Sequence, residues 1–414
     1  MQKTPRSLRL HIGIFGRTNV GKSSFLNLIC GQEAAITSPV PGTTTDVVEK
    51  AMELLPVGPV VFLDTAGFDD SSELGRLRVQ KTKRALERAD VAVLVSETGK
   101  WGEYELLISR EAKARGIPLI TVLNKADLAP VSEDFIAQVK AETAHYFSCI
   151  SAGAADREAY RNQFKRLLLA ACPDEFLNPP PLIGDLLRPG GVAALVVPID
   201  LQAPKGRLIL PQVQAIRDAL DSDALCLVVK EREYAHALSL LKEPPCITVC
   251  DSQAVQKVMA DTPENIPCTT FSILFARLKG DLPAFAAAAA AIDSLKSGDR
   301  VLIAESCAHH PLEDDIGRVK IPRWLRQHTG AALDIQTTCG LDFPDDISSY
   351  KLVIHCGGCM TNRRDMLYKM ERARQAAVPM TNYGVAISFL QGVLKRALAP
   401  FPAALAAYER EKAP

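Results

Sequence analysis

Two groups of residues have types and spacings that can do chemistry. The first begins with Gly16-Arg17-Thr18-Asn19-Val20-Gly21-Lys22-Ser23, which fits G-x-x-x-x-G-K-[ST]. In that pattern glycines let backbone N–H groups curl around phosphate oxygens, the lysine reaches the β- and γ-phosphates, and the hydroxyl of Ser23 ligates Mg²⁺. Gly16, Asn19, Gly21, Lys22, Ser23 and the adjoining Ser24 form the candidate phosphate set. Asp64-Thr65-Ala66-Gly67 offers a carboxylate that holds Mg²⁺ through water and a Gly67 amide for the γ-phosphate. In Asn124-Lys125-Ala126-Asp127, the Asp127 carboxylate can accept two hydrogen bonds from guanine N1–H and N2–H₂. Adenine lacks that donor pair, so the base choice is GTP/GDP over ATP. Ser151-Ala152 follows at a distance suited to giving a backbone N–H to guanine O6.

The second group is Cys307-Ala308-His309 with His355-Cys356-Gly357-Gly358-Cys359; with His310, these segments hold three of the seven histidines. A Cys-x-x-Cys facing a Cys-x-His reads as a metal site. Zinc would accept three thiolates and a histidine, and an iron–sulfur cluster three thiolates plus another ligand or an open position. Cys30, Cys149, Cys172, Cys226, Cys246, Cys250 and Cys268 read as small buried apolar residues. Cys339 reads the same way, but ends another apparent strand and could approach the metal residues.

These residues need elements to position them. Leu8–Phe15, Val60–Leu63, Val91–Val95 and Leu119–Leu123 are apolar strand-like runs, with helical stretches such as Lys22–Cys30, Leu74–Ala89 and Tyr104–Arg115 between them. That alternation predicts a mostly parallel sheet covered on both faces. Each nucleotide motif then falls at a strand end. Asn178-Pro179-Pro180-Pro181 is a stiff break, since proline cannot continue a helix. Beyond it, Ala193–Ile199, Leu225–Val229 and Ile247–Val249 predict a second small α/β unit, and Arg300–Ala304, Ala332–Gln336 and Lys351–His355 a third. The expected fold is α/β throughout: a P-loop GTPase domain over 1–175, a small α/β middle domain over 182–267, and a C-terminal α/β domain over 268–414 that carries the candidate metal residues. Cys307 and Cys356 lie just past strands of the last, where open α/β sheets place ligands.

The chain has 414 residues, 48 Lys+Arg against 48 Asp+Glu, 47% apolar and 23% charged residues. Those values fit a globular protein of several domains and disfavour nonspecific nucleic-acid binding. The longest apolar stretch, the alanine-rich Leu282–Ile292, falls short of the ~18 residues of a membrane span. No secretory signal is evident, so the cytoplasm is expected, with reduced thiols.

Residues 8–170 resemble the branch of translation-factor-type GTPases that holds Era and the tRNA-modification GTPases. By that resemblance Gly42-Thr43-Thr44-Thr45-Asp46 is the first switch, Thr44 ligates Mg²⁺ beside Ser23, and the catalytic set is Lys22, Thr44, Asp64 and Gly67. Asn19 is then a candidate K⁺ ligand. Phe68 stands where a water-positioning glutamine is found in Ras-like proteins, so intrinsic hydrolysis is expected to be slow.

Joined to C-x-H and H-C-x-x-C, this head resembles the HydF family of [FeFe]-hydrogenase maturation GTPases along the whole chain. The resemblance implies a [4Fe–4S] cluster on Cys307, Cys356 and Cys359, with Glu305, His309 and His355 as candidates for the fourth position. It also implies a homodimer through the middle domain. The role it implies is that of a scaffold or carrier for the di-iron precursor, with [FeFe]-hydrogenase and radical-SAM maturases as partners. The competing reading is an RNA- or ribosome-associated Era-like GTPase with a structural zinc module. Balanced charge and the lack of a basic tail or a KH-type Gly-x-x-Gly signature speak against it.

Overall fold

The computed structural model describes residues 4–31, 48–65, 82–128, 131–152, 156–198, 208–306, 315–340 and 343–412. Thr44, Gly67, Phe68, Cys307, His309 and His310 lie outside the described residues. The chain divides into two compact units, Met1–Pro179 and Pro180–Pro414, at the proline-rich break.

The first unit is built on a six-stranded sheet. Its strands are β1 (Leu10–Phe15), β2 (Val48–Leu54), β3 (Gly58–Asp64), β4 (Val91–Glu97), β5 (Leu119–Asn124) and β6 (His145–Ser148), in the order β2-β3-β1-β4-β5-β6. All neighbours are parallel except β2 and β3, which form an antiparallel pair with Val48 opposite Asp64. β1 and β5 are buried along their whole length, as a parallel strand covered on both faces must be. Under the sheet Phe25 of helix Lys22–Cys30 packs edge-on to Phe164 of helix Arg157–Ala171, ring centroids 5.4 Å apart, with Phe147 of β6 beside both. That aromatic cluster anchors the helix that follows the phosphate loop. β2 and β6, at the two sheet edges, were not among the apolar runs. Edge strands carry polar residues, as in the sequence Val-Glu-Lys-Ala-Met-Glu-Leu of β2.

The second unit holds two four-stranded parallel sheets. One runs β10-β9-β7-β8, from β7 (Val192–Val196), β8 (Leu225–Val229), β9 (Ile247–Cys250) and β10 (Cys268–Thr270). The other runs β12-β11-β13-β14, from β11 (Arg300–Glu305), β12 (Asp334–Cys339), β13 (Leu352–His355) and β14 (Met380–Asn382). One continuous set of buried apolar side chains spans both sheets. Helix Phe271–Lys279 follows β10 directly, capped by the Thr270 hydroxyl, which accepts from the Ile273 N–H at 3.1 Å. The alanine-rich stretch forms helix Leu282–Ala289, burying Leu282, Phe285, Ala286 and Ala289. Small residues there allow close packing against helix Pro402–Lys412. Among the described residues no helix is long and apolar enough to cross a membrane.

Candidate functional site

The phosphate loop connects β1 to helix Lys22–Cys30. Gly21 has φ +95°, and a Cβ there would come within 2.2 Å of Asn124 Nδ2; a Cβ on Gly16 would meet the Val95 carbonyl at 2.3 Å. Only glycine fits either place. Lys22 is buried and donates to the Gly16 and Arg17 carbonyls at 2.9 and 2.8 Å, so its ammonium is folded back along the loop that a phosphate would occupy. Asn19 is exposed and left-handed, φ 60°. Ser23 is exposed at the helix start and Ser24 half-buried. Arg17 forms a bidentate bond with Glu105, 3.0 Å from Nε to Oε1 and 2.8 Å from Nη2 to Oε2, while Glu105 itself is only 1% exposed. The Gly16 N–H donates to the Tyr104 hydroxyl at 3.2 Å. Helix Glu103–Ala114 therefore grips the loop through its first turn.

Asp64 ends β3, half-buried; burial pushes its carboxyl up, against the opposing pull of Lys22 and Lys50. The Thr65 hydroxyl donates to the Ile14 carbonyl at 2.6 Å and closes this end of β3 onto β1. Asn124 ends β5. Its Nδ2 donates to the Val20 carbonyl at 2.7 Å, and its Oδ1 accepts from the Ser151 N–H at 3.0 Å. One side chain thus joins the phosphate loop to the loop after β6. Lys125 follows with φ 59° and its ammonium 3.0 Å from Glu97. Asp127 and Ala152 are exposed, Ser151 buried. The nucleotide motifs therefore stand at the carboxyl ends of neighbouring strands, as a phosphate loop and a base-facing loop tied together by Asn124. Tyr104 and Glu105 were not singled out in the sequence. The only signal was an acidic pair, Glu103 and Glu105, at a helix start.

At the second sheet, β11 and β13 are neighbours with Ala304 opposite His355, and β12 sets Cys339 opposite Glu305. Cys356 leaves β13 with its N–H on the Ala304 carbonyl at 2.8 Å, and its Sγ accepts the Ser306 N–H at 3.1 Å. The residue before Cys307 is thereby held at the Cys356 sulfur. Burial raises the Cys356 thiol, but contacts with His355, Ser306 and the Gly358 backbone outweigh it and bring the thiol down to about 6. Cys359 is pushed up by burial and then by Cys356. Gly358, φ 62°, makes the turn between the two thiols.

His355 is 1% exposed; its Nδ1 lies 2.8 Å from the Cys356 carbonyl and its Nε2 3.5 Å from Lys369 Nζ. Both ring nitrogens are engaged within the protein. Glu305 is 5% exposed, accepts the Tyr383 hydroxyl at 3.2 Å, and has Arg318 Nε 3.7 Å away. Among the described residues no group of three His, Cys, Asp or Glu side chains converges as a metal site; Cys307 and His309 are not among them. The donors that are described suit a soft, thiolate-binding group: a low thiol, an N–H directed at its sulfur, and a buried Ser306 Oγ with no hydrogen-bond partner among the described residues.

The sequence reading missed Lys279. It is buried at the end of helix Phe271–Lys279, and donates to the carbonyls of Gly358, Cys359 and Thr361 at 2.9, 3.3 and 2.6 Å. Burial pulls its ammonium down to about 8, against the pull of Cys359 and Cys356.

In comparison with known proteins, residues 11–125 match the family model described as 50S ribosome-binding GTPase. Residues 182–280 match the hydrogen maturase F dimerization domain and residues 283–400 the hydrogen maturase F tetramerization domain. The tRNA modification GTPase MnmE of Synechococcus sp. (strain JA-3-3Ab) is 45% identical over 126 residues, which is 30% of this chain and 26% of that protein. MnmE of Burkholderia ambifaria (strain MC40-6) is 38% identical over 125 residues, again 30% and 26%. The chain thus spans about a quarter of the length of the curated relatives it matches. Among solved structures, an Era variant of Aquifex aeolicus bound to GDP·AlF₄⁻ is 19% identical, covers 56% of this chain and 98% of its own, and has a TM-score of 0.33. The head is a P-loop GTPase domain, and the two hydrogen maturase F domains behind it together cover more than half of the sequence: the chain belongs to the hydrogen maturase F (HydF) family.

Proposed function

We propose that this chain is a GTP hydrolase and iron–sulfur scaffold that assembles or delivers the di-iron precursor of the [FeFe]-hydrogenase active site. The observation that carries the reading is the Ser306 N–H on Cys356 Sγ, 3.1 Å, at the strand ends of a HydF-family sheet. GTP binds with Mg²⁺ on Ser23 and Thr44, with K⁺ at Asn19, and the head hydrolyses it slowly as a regulatory step. Cys307, Cys356 and Cys359 hold a [4Fe–4S] cluster, with Glu305, His309 or His355 at the fourth position. Such a cluster supplies an iron whose weakly held place an incoming fragment can take without breaking a thiolate bond. Two chains pair through the middle domain, 182–267, in the cytoplasm, and the hydrogenase and its radical-SAM maturases are the partners.

Anaerobic reconstitution with ferrous iron and sulfide tests the reading. The expected result is a brown protein with iron and sulfide in equal amounts. Cys307→Ala, Cys356→Ala and Cys359→Ala should each lose the colour; His309→Ala and His355→Ala should keep part of it with an altered paramagnetic resonance spectrum. Colourless protein with stoichiometric zinc would favour the ribosome-associated reading instead.

A further inference from the structure

The turn that carries Cys356 and Cys359 is clasped from the neighbouring segment. Lys279 is 3% exposed and stands at the last position of helix Phe271–Lys279, where a cation faces the helix carbonyls. Its Nζ donates to the Gly358, Cys359 and Thr361 carbonyls, at 2.9, 3.3 and 2.6 Å. A neutral amine has two N–H groups to give; three acceptors around one nitrogen use all the donors of an ammonium. The Phe275 ring, one turn earlier, lies 5.4 Å from the same nitrogen. The clasp is returned: Arg363 Nη1 donates to the Leu278 and Gly280 carbonyls at 2.8 and 3.2 Å, on either side of Lys279. Asn362 caps the next helix, its Oδ1 accepting the Asp365 N–H at 3.2 Å, and so ends the loop at a fixed place. None of the Lys279 and Arg363 bonds in this clasp uses a thiol; each ends on a backbone carbonyl.

We propose that Lys279 is a positioning residue and counter-charge for a thiolate-held metal group on Cys356 and Cys359. The inference rests on the cluster reading above. A [4Fe–4S] group held by three thiolates is an anion, and a buried cation bonded to the backbone of its ligand turn stabilises the more negative, reduced form. The same three bonds fix the carbonyls between and beyond the two cysteines, so the sulfurs need little reorganisation to bind. Lysine suits the place better than arginine, because a compact ammonium can serve three converging carbonyls while a planar fork cannot.

The test compares the full chain with Lys279→Met and Lys279→Arg. Two quantities are read: affinity of the metal-free protein for cobalt(II), from the thiolate-to-cobalt absorption, and the midpoint potential of the reconstituted cluster. Near-ultraviolet circular dichroism and thermal unfolding check that each variant folds. In Lys279→Met cobalt(II) affinity should fall by about 10- to 100-fold, the usual cost of losing an outer-shell partner. Its midpoint should move to a more negative potential. Lys279→Arg should lose cobalt(II) affinity yet keep its midpoint close to that of the unmodified chain, because the charge remains. If Lys279→Met does not fold, Lys279→Arg alone decides. A folded variant of either kind with both quantities unchanged overturns the proposal, as does an arginine variant whose midpoint turns more negative. An unmodified chain that takes up neither cobalt(II) nor iron overturns the cluster reading itself; normal loading of the unmodified chain and of both variants overturns this inference alone.

Discussion

Asn124 donates its side-chain N–H to the Val20 carbonyl at 2.7 Å, across 104 positions of sequence. With Ser151 N–H on its other end at 3.0 Å, one buried carboxamide holds the phosphate loop and the loop after β6 at a fixed separation. A guanine nucleotide must touch both loops at once. Asn124→Ala should therefore weaken GDP and GTP together, and leave a buried carbonyl and amide without partners, at a cost of about 1–3 kcal/mol. Calorimetric titration with GDP and thermal unfolding of the chain check this. Unchanged nucleotide affinity would show that the two loops hold their places without the clamp.

Lys22 and Asp127 divide the nucleotide between them. Lys22→Ala removes an ammonium turned onto the phosphate loop and should lower GTP hydrolysis by at least about 100-fold, as lost charge stabilisation does. Asp127→Asn should leave phosphate binding alone and weaken the preference for guanine, read by competition with ATP and xanthosine triphosphate. Equal affinity of the unmodified chain for ATP and GTP would refute the base-recognition argument.

β8 is an outer strand of its sheet, with Leu225 57% and Val228 42% exposed. The Leu225 N–H bonds to Gly191, and the Val229 carbonyl accepts from Val197, both at 2.8 Å, so odd positions face β7. By alternation Cys226 and Val228 turn their N–H groups outward. Val228→Pro removes one outward donor while sparing the ladder to β7, and proline is tolerated on such an edge. If two chains join through this edge, light scattering at micromolar concentration should shift from dimer toward monomer. A variant that stays dimeric places the contact elsewhere.

In the metal-free chain the Cys356 thiol is held at about 6, below the 9.0 ordinary for a cysteine. Between those values the folded chain binds fewer protons than the unfolded one. This group therefore adds stability that is complete above 9.0 and is lost as pH falls through about 6. Thiolate absorbance in the ultraviolet should rise with a midpoint near 6, and that step should vanish in Cys356→Ser. An absence of any thiolate step below about pH 8 would contradict it. Bound metal should abolish the step, since ligation replaces the proton.

The nucleotide motifs were legible because each is local. A phosphate loop needs two glycines and a lysine within eight positions, and the backbone angles it demands are a property of those residues alone. The central strands were legible for a similar reason: a parallel strand covered on both faces is buried along its length and so mostly apolar, as β1 and β5 are. Sheet edges escaped, since β2 and β6 mix polar with apolar residues, and β10 and β14 have three residues each. β12 begins at Asp334, two positions later than its apolar run suggested, because pairing with β11 sets its register. What only the tertiary structure decided is which distant groups meet. Arg17 finds Glu105 across 88 positions, and Lys279 finds Gly358 across 79. Neither pair has a local signature. Each depends on crossovers that bring a helix end to a loop on another strand, and a buried charge is stable only where that meeting satisfies it.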